Sequence, residues 1–402
     1  MHDESAVSLR AARAGAGAAS VFRFLMAPRD LGHPDACDFV AGNPQEMAMP
    51  EYVATLQRAV VPDAPSYYSY GPPWRAAIET VTAALGSRLD LDLDPDDVFL
   101  TRGAASGLFV LLRLLIEPGD QVLMMSPPWF FYEAMVLAEG GEPVKVPLLD
   151  DSFDLDLPAI ERALTPRTRA VIINTPHNPS GRIYPEEQLE GLAAVLEDSS
   201  SRTGHRIHLI SDEAYARILF DGNRMITPGR FYPSTFMLHT YSKTLLAPSQ
   251  RAGYLAMSPR MPAREEMRAA LRWGTMQAGA VPDRVMQRAM PELENLSIDV
   301  AAIERRRDRL VAELRGSGYS LASPQGAFYL FPDAPGGASL RFCAWLAERR
   351  VYALPGEAFE RPGHFRLSLT ANDAMVERSL PVFAEAGKTF VSAGSKGDAR
   401  GD

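Results

Sequence analysis

Between positions 97 and 257 the chain alternates short β-rich runs with longer helical patterns, and few folds accommodate that alternation. The candidate strands are Asp97–Thr101, Gln121–Met125, Glu142–Val146, Ala170–Asn174, Ile207–Ser211, Thr235–His239 and Gly253–Met257. Between them, Ala105–Ile116 is apolar on every turn and is stopped by Glu117-Pro118-Gly119-Asp120. Pro185–Glu197 carries Glu and Gln early and a Leu/Ala stripe. Such alternation predicts an α/β fold: a large domain with a mostly parallel seven-stranded sheet, covered by helices on both faces. Ligands of such sheets bind at the C-terminal strand ends. Gly103, Asn174, Asp212 and Lys243 all fall at or just after these ends, so one topology gathers residues that are far apart in sequence.

A long helical stretch, Arg284–Arg315, comes next. It leads to Ala327–Phe331, a helix at Leu340–Arg350, Val351–Leu354 and His364–Leu369, which reads as a smaller α+β domain. The expected organisation is an N-terminal arm and part of the small domain over 1–45, and a large domain over 46–285. A small C-terminal domain over 286–391 and a disordered tail over 392–402 complete it. Residues 1–20, rich in Ala, Gly and Ser, are expected to be mobile. Val21–Met26 is expected to pack on another subunit.

With 402 residues, 46% of them hydrophobic and 23% charged, the chain can bury a sizeable core. Its net charge of -9 offers no general attraction to phosphate backbones or anionic lipid, which argues against nucleic acid and membrane as partners. No run approaches the ~20 apolar residues of a membrane span. Met1-His2-Asp3-Glu4 lacks the basic flank and apolar core of a signal peptide, so a cytoplasmic location is expected. Cys37 and Cys343 show no metal spacing, and no metal site is expected.

Several side chains at the strand ends carry chemistry. After the first strand, Gly103, Ala104 and Ala105 open a helix whose backbone N–H groups can approach a phosphate, although any tight strand–helix turn uses the same residues. Trp129 can stack on a planar ring or belong to the core. Asn178, in a Pro-bounded turn, can donate to a phenolate oxygen or hold its own turn. Asp212 ends the apolar run Ile207–Ile210. A protonated pyridine nitrogen would satisfy it, and a helix N-cap is the alternative. Tyr215 lies one helical turn on. Lys243 follows the apolar Phe236-Met237-Leu238, where burial makes an amine nucleophilic. Thr240 and Ser242 flank it, and Arg251 stands eight positions on. Arg366, among apolar neighbours, suits a bidentate grip on a carboxylate, with an internal salt bridge as an equal alternative. Amine, carboxylate, amide, phenol and guanidinium together are the groups needed to hold pyridoxal phosphate and tune its electronics.

Four motifs occur in order: Asn174-Thr175-Pro176-His177-Asn178-Pro179-Ser180-Gly181, Ser211-Asp212-Glu213-Ala214-Tyr215, Tyr241-Ser242-Lys243 with Arg251, and Pro324-Gln325-Gly326-Ala327-Phe328-Tyr329. Through them the chain resembles the class I/II aminotransferases of the fold-type I pyridoxal-phosphate enzymes, from about Gly42-Asn43-Pro44 to Leu369. The resemblance implies a catalytic set of Lys243, Asp212 and Tyr215, with Lys243 as Schiff-base lysine and proton shuttle. It implies Asp212 at the pyridine nitrogen, Asn178 and Tyr215 at the ring oxygen, and Trp129 on the ring face. Gly103, Ala104, Ala105, Thr240, Ser242 and Arg251 are implied at the phosphate. Arg366, with Asn178 and Trp129, is implied at the substrate and its α-carboxylate. A homodimer with shared sites is also implied, with Tyr67 or Tyr70 reaching the neighbouring subunit's phosphate. The implied reaction moves an amino group from an L-amino acid to a 2-oxo acid by a ping-pong mechanism. Elimination, cyclisation or oxidation with the same cofactor is the alternative. A binding protein with a retired site is opposed by the intact Asp212, Lys243, Arg251 and Arg366. Arg23, Arg29 and Arg272 are candidates to meet an acidic substrate side chain, with solvation as their bland alternative.

Overall fold

The computed structural model describes residues 6–394. The chain enters through the helix Leu9–Leu25, where the Ser8 hydroxyl accepts from the Ala11 N–H, and reaches the short strand β1 (Cys37–Asp38). Seven strands build the main sheet: β2 (Val98–Thr101), β3 (Gln121–Ser126), β4 (Glu142–Pro147), β5 (Thr168–Asn174), β6 (His208–Asp212), β7 (Thr235–Thr240) and β8 (Gly253–Met257). Their order is β2-β8-β7-β6-β5-β3-β4, and only β8 runs against its neighbours. The expected α/β fold with a mostly parallel seven-stranded sheet is therefore present.

Alternation within each strand explains the coverage of both faces. Leu123, Met125, Val171 and Ile173 enter one core with Leu189, Leu192 and Leu196 of the helix Glu186–Thr203. Val122, Met124, Ala170 and Ile172 enter the other core with Leu108, Leu111 and Leu112 of the helix Ala104–Leu115. Successive side chains point to opposite faces, so burial of both faces makes the strands read as unbroken apolar runs. Each fully buried Leu or Ile contributes roughly 1.5–3 kcal/mol relative to exposure.

Because β8 is antiparallel, its first residue meets the last residues of its neighbours. Gly253 stands opposite both Thr101 and Thr240. A Cβ on Gly253 would lie 2.2 Å from the His239 carbonyl oxygen and 2.8 Å from the Gly103 Cα. Glycine lets three chain segments converge there, and Arg251, just before β8, thereby joins the edge formed by the ends of the parallel strands.

Four short strands complete the set: β9 (Tyr329–Leu330), β10 (Val351–Tyr352), β11 (Leu354–Pro355) and β12 (Phe365–Ser368). β11, β12 and β9 form an antiparallel sheet in that order, while β1 pairs in parallel with β10. Phe328, Phe342, Phe365 and Phe383 share the core around them.

Three expectations are corrected. Residues 9–20, expected to be mobile, form most of the helix Leu9–Leu25, which packs on the helix Tyr132–Ala138. Its alanines favour helix, Arg13 pairs with Glu142 at 3.2 Å, and the Phe22 ring lies 5.7 Å from Phe131. The single helical stretch Arg284–Arg315 is instead two helices, Arg284–Leu293 and Val300–Gly316. The Asp299 carboxylate restarts the second by accepting from the Ala302 N–H at 3.0 Å. The expected tail over 392–402 begins inside the helix Asp373–Gly394, and its remainder lies outside the described residues. Among the described residues no helix is long and apolar enough to cross a membrane.

Candidate active site

At one end of the site, Gly103 adopts φ +86° between β2 and the helix Ala104–Leu115. A Cβ there would lie 2.9 Å from Arg251 Nη2 and 3.0 Å from Thr240 Oγ1, so the turn needs glycine on two counts. The helix begins without a side-chain cap, which leaves its first backbone N–H groups to other acceptors. Thr240 Oγ1 donates to Ser242 Oγ at 2.9 Å, and Arg251 Nη1 donates to the same oxygen at 3.0 Å. The other acceptors of Arg251 are the carbonyls of Pro248 (2.6 Å) and Arg102 (3.1 Å). Among the described residues no carboxylate pairs with it. The result is a cluster of donors with an uncompensated positive charge, which suits a phosphate.

In the middle, Asp212 ends β6 in a buried position. Its Oδ2 accepts from the Tyr132 hydroxyl at 2.6 Å, and its Oδ1 accepts from the Ala214 N–H at 3.1 Å. The second contact realises part of the N-cap alternative, yet no regular helix follows. Burial raises the pKa of Asp212, while those two hydrogen bonds and the Lys243 charge pull it back. Asn174 stands beside Asp212 in the sheet register. Its amide donates to the Asp212 carbonyl at 2.8 Å and accepts from the Asn178 N–H at 2.7 Å, which fixes the Asn178 turn.

Lys243 sits in the single-turn helix Tyr241–Thr244 at the end of β7. Its Nζ lies 5.6 Å from the Phe328 ring centroid and 5.7 Å from that of Tyr215. The Tyr215 hydroxyl donates to the Tyr329 oxygen at 3.3 Å. Burial raises the pKa of Tyr215. Burial would also raise that of Tyr329, but the charges of Lys243 and Arg366 and the bond from Tyr215 bring it below the ordinary value. Trp129 is wedged 5.3 Å from both Phe131 and Tyr132.

At the far end Arg366 is buried, with 2% of its surface exposed. Its Nη1 donates to Asn178 Oδ1 at 2.9 Å and its Nη2 to the Val40 carbonyl at 2.8 Å, while Nε has no partner. The guanidinium lies 4.0 Å from the Tyr329 ring centroid and 4.7 Å from that of Phe359. Burial lowers its pKa, yet a guanidinium stays charged in proteins. The salt-bridge alternative fails, because among the described residues every acceptor of Arg366 is neutral.

Ala104, Ala105, Trp129, Asn178, Asp212, Tyr215, Thr240, Ser242, Lys243 and Arg251 line one cavity. Gly103 touches it through Arg251, and Arg366 through Asn178. Tyr67 is not among the lining residues. Its hydroxyl donates to the Ala59 carbonyl and its ring lies 5.2 Å from the Arg288 guanidinium, while Tyr70 is fully exposed. Arg23 and Arg272 are exposed, and Arg29 is half-buried with two nitrogens lacking partners. Sequence reasoning placed Asn174 at the strand ends without a role, and missed Tyr132 and Tyr329. Tyr329 belongs to the Pro324–Tyr329 motif and Tyr132 lies close to Trp129, but the reach of both depends on segments far away in the chain. Phosphate donors at one end, a buried carboxylate beside an amine in the middle, and an unpaired arginine at the other end fit pyridoxal phosphate with an amino acid. No group of three or more His, Cys, Asp or Glu gathers at metal-binding distance among the described residues.

The family model for aminotransferase class I and II matches residues 35–382. An aspartate/prephenate aminotransferase from Thermus thermophilus is 32% identical over 366 residues, covering 87% of this chain and 90% of the relative. An aspartate aminotransferase from Geobacillus stearothermophilus is 29% identical over 371 residues, covering 86% and 91%. Among solved structures, an aminotransferase from Eubacterium rectale superposes with a TM-score of 0.85 at 28% identity, covering 96% of each chain. The aspartate aminotransferase of Thermus thermophilus with maleate gives 0.80 at 28% identity, covering 95% of this chain and 100% of that one.

Proposed function

The chain belongs to the class I and II aminotransferase family, and on that premise we propose that it moves the amino group of an L-amino acid to a 2-oxo acid, using pyridoxal 5'-phosphate held in the cavity around Lys243. One observation carries the reading: Lys243 and the buried Asp212 share a cavity flanked by two arginines, Arg251 and Arg366, that have no carboxylate partner among the described residues.

When bound, the cofactor supplies an electrophilic carbon and an electron sink for the substrate's Cα. Arg251, Ser242, Thr240 and the backbone of Gly103, Ala104 and Ala105 hold its phosphate. Asp212, oriented by Tyr132 and the Ala214 N–H, keeps a negative charge beside the ring nitrogen. Tyr215 and Asn178 bind the ring oxygen, and Trp129 covers the ring face. Lys243 would hold the cofactor through its amine and would carry the substrate's Cα proton. Arg366 grips the substrate carboxylate, and its present neutral acceptors give way without leaving a buried charge unpaired. Val53, Val60, Val61, Tyr68 and Tyr70 are apolar or aromatic and exposed, as a homodimer with shared sites requires.

The test is a half-reaction with no 2-oxo acid present. A productive amino acid should convert the bound cofactor to pyridoxamine phosphate, releasing one oxo acid per site, and a 2-oxo acid should then reverse it, as ping-pong kinetics demand. Aspartate heads the panel, because the relatives are named for it. Steady ammonia release or oxygen uptake would instead place the chemistry with elimination or oxidation.

A further inference from the structure

One carboxylate outside the cavity ties together three of the segments that carry it. Glu294 lies in the break between the helices Arg284–Leu293 and Val300–Gly316, with 2% of its side chain exposed. Its Oε2 accepts from the Tyr241 hydroxyl at 2.5 Å. Its Oε1 accepts from Arg88 Nη1 at 2.9 Å and lies 3.8 Å from Arg217 Nη1. Arg88 also donates to the Tyr254 hydroxyl at 2.8 Å, and Arg217 donates to the Leu296 carbonyl at 2.8 Å.

The attachment points matter. Tyr241 opens the helix Tyr241–Thr244 that carries Lys243. Arg217 follows Tyr215 by two residues, and Tyr254 on β8 follows Arg251 by three. A single helical turn cannot support itself, so tertiary contacts decide where its side chains point. On one side Ser242 and Lys243 line the cavity, and away from it Tyr241 is buried against Glu294. A short hydrogen bond to an ionised carboxylate is among the stronger and more directional contacts available. A charge pair serving stability alone would need only Arg88 and Glu294. This carboxylate spends its second oxygen on the tyrosine beside Lys243.

We propose that Glu294, resting on the functional reading above, is a positioning residue that aims Lys243 through Tyr241 and steadies the Tyr215 turn through Arg217.

The test compares Glu294→Gln, Tyr241→Phe and the double variant as holoenzymes, with rates expressed per bound cofactor. Each single change should lower kcat about tenfold and leave KM within about twofold, the pattern of lost transition-state geometry. The double variant should be no worse than the poorer single variant, because both cut one connection. The pH midpoint of the visible band of the lysine-linked cofactor should also move in both single variants. A purely structural role would lower thermal stability while leaving kcat per cofactor and that midpoint at wild-type values, and this result overturns the inference. Additive losses in the double variant overturn it too. Should Glu294→Gln not fold, Tyr241→Phe, which removes one oxygen, decides alone. Wild-type protein with no cofactor on Lys243 would overturn the functional reading and this inference together, whereas unaltered variants of a working enzyme overturn the inference alone.

Discussion

Arg366 and Asp212 are both buried charges, and their surroundings treat them differently. Asp212 has a phenol, a backbone N–H and the field of Lys243, whereas Arg366 has two neutral oxygens and an idle Nε. The proposed clamp therefore predicts that Arg366→Ala loses roughly 2–5 kcal/mol of transition-state binding, or about thirty-fold to several thousand-fold in kcat/KM. Arg366→Lys should not restore it, since a compact ammonium cannot span two oxygens or fill the planar gap between Tyr329 and Phe359. Cofactor absorbance should persist in both variants. Wild-type kinetics on every amino acid would move the clamp elsewhere. Lys243, Asp212, Asn178, Tyr215 and Arg251 were legible because each sits in a short motif at a strand end. Tyr132 and Tyr329 were not, because the bonds that give them meaning join residues 80 and 114 positions apart.

Among elements, the sheet strands were the easiest to read, because burial on both faces leaves apolar centres such as Val122–Met125, Ala170–Ile173 and Phe236–Leu238. The helix Leu9–Leu25 was missed because its Ala- and Gly-rich start carries no strong apolar stripe, and its aromatic contacts come only near its end. The break after Leu293 was missed because Leu296 and Ile298 continue the apolar content through it. Strand β8 yields a prediction of its own. Gly253→Ala puts a methyl group against the His239 carbonyl where β2, β7 and β8 converge. It should cost roughly 1–3 kcal/mol or more, because backbone rather than a flexible side chain must yield. Urea unfolding would register the loss, and an unchanged midpoint would show that the junction is looser than the geometry requires.

For the whole molecule, stability should depend on pH through Glu213. This buried carboxyl accepts from Ser211 Oγ at 2.9 Å and Thr227 Oγ1 at 2.7 Å, and burial pushes its pKa from 4.5 up to about 7. Between those values the folded protein keeps a proton that the unfolded chain has lost. The favourable contribution is complete below about pH 4.5 and disappears as pH rises through 7, a swing on the order of 3 kcal/mol. Glu213→Gln removes the titration, so the variant's melting temperature should gain on wild type steadily from pH 5 to pH 8. A gap that stays constant over that range would rule the mechanism out.

The unpaired arginines at the two ends of the cavity also bear on the economy of the fold. A chain of net charge -9 has carboxylates in plenty, yet among the described residues none is placed against Arg251 or Arg366. On the proposed reading, the last ion pairs of the native state are completed by molecules the chain does not encode. Folding and occupancy then become one equilibrium: a ligand at a hundred times its Kd deepens the native well by about 2.7 kcal/mol. The lifetime of this polypeptide would track the supply of its small molecules, so that abundance itself reports whether there is work for it to do.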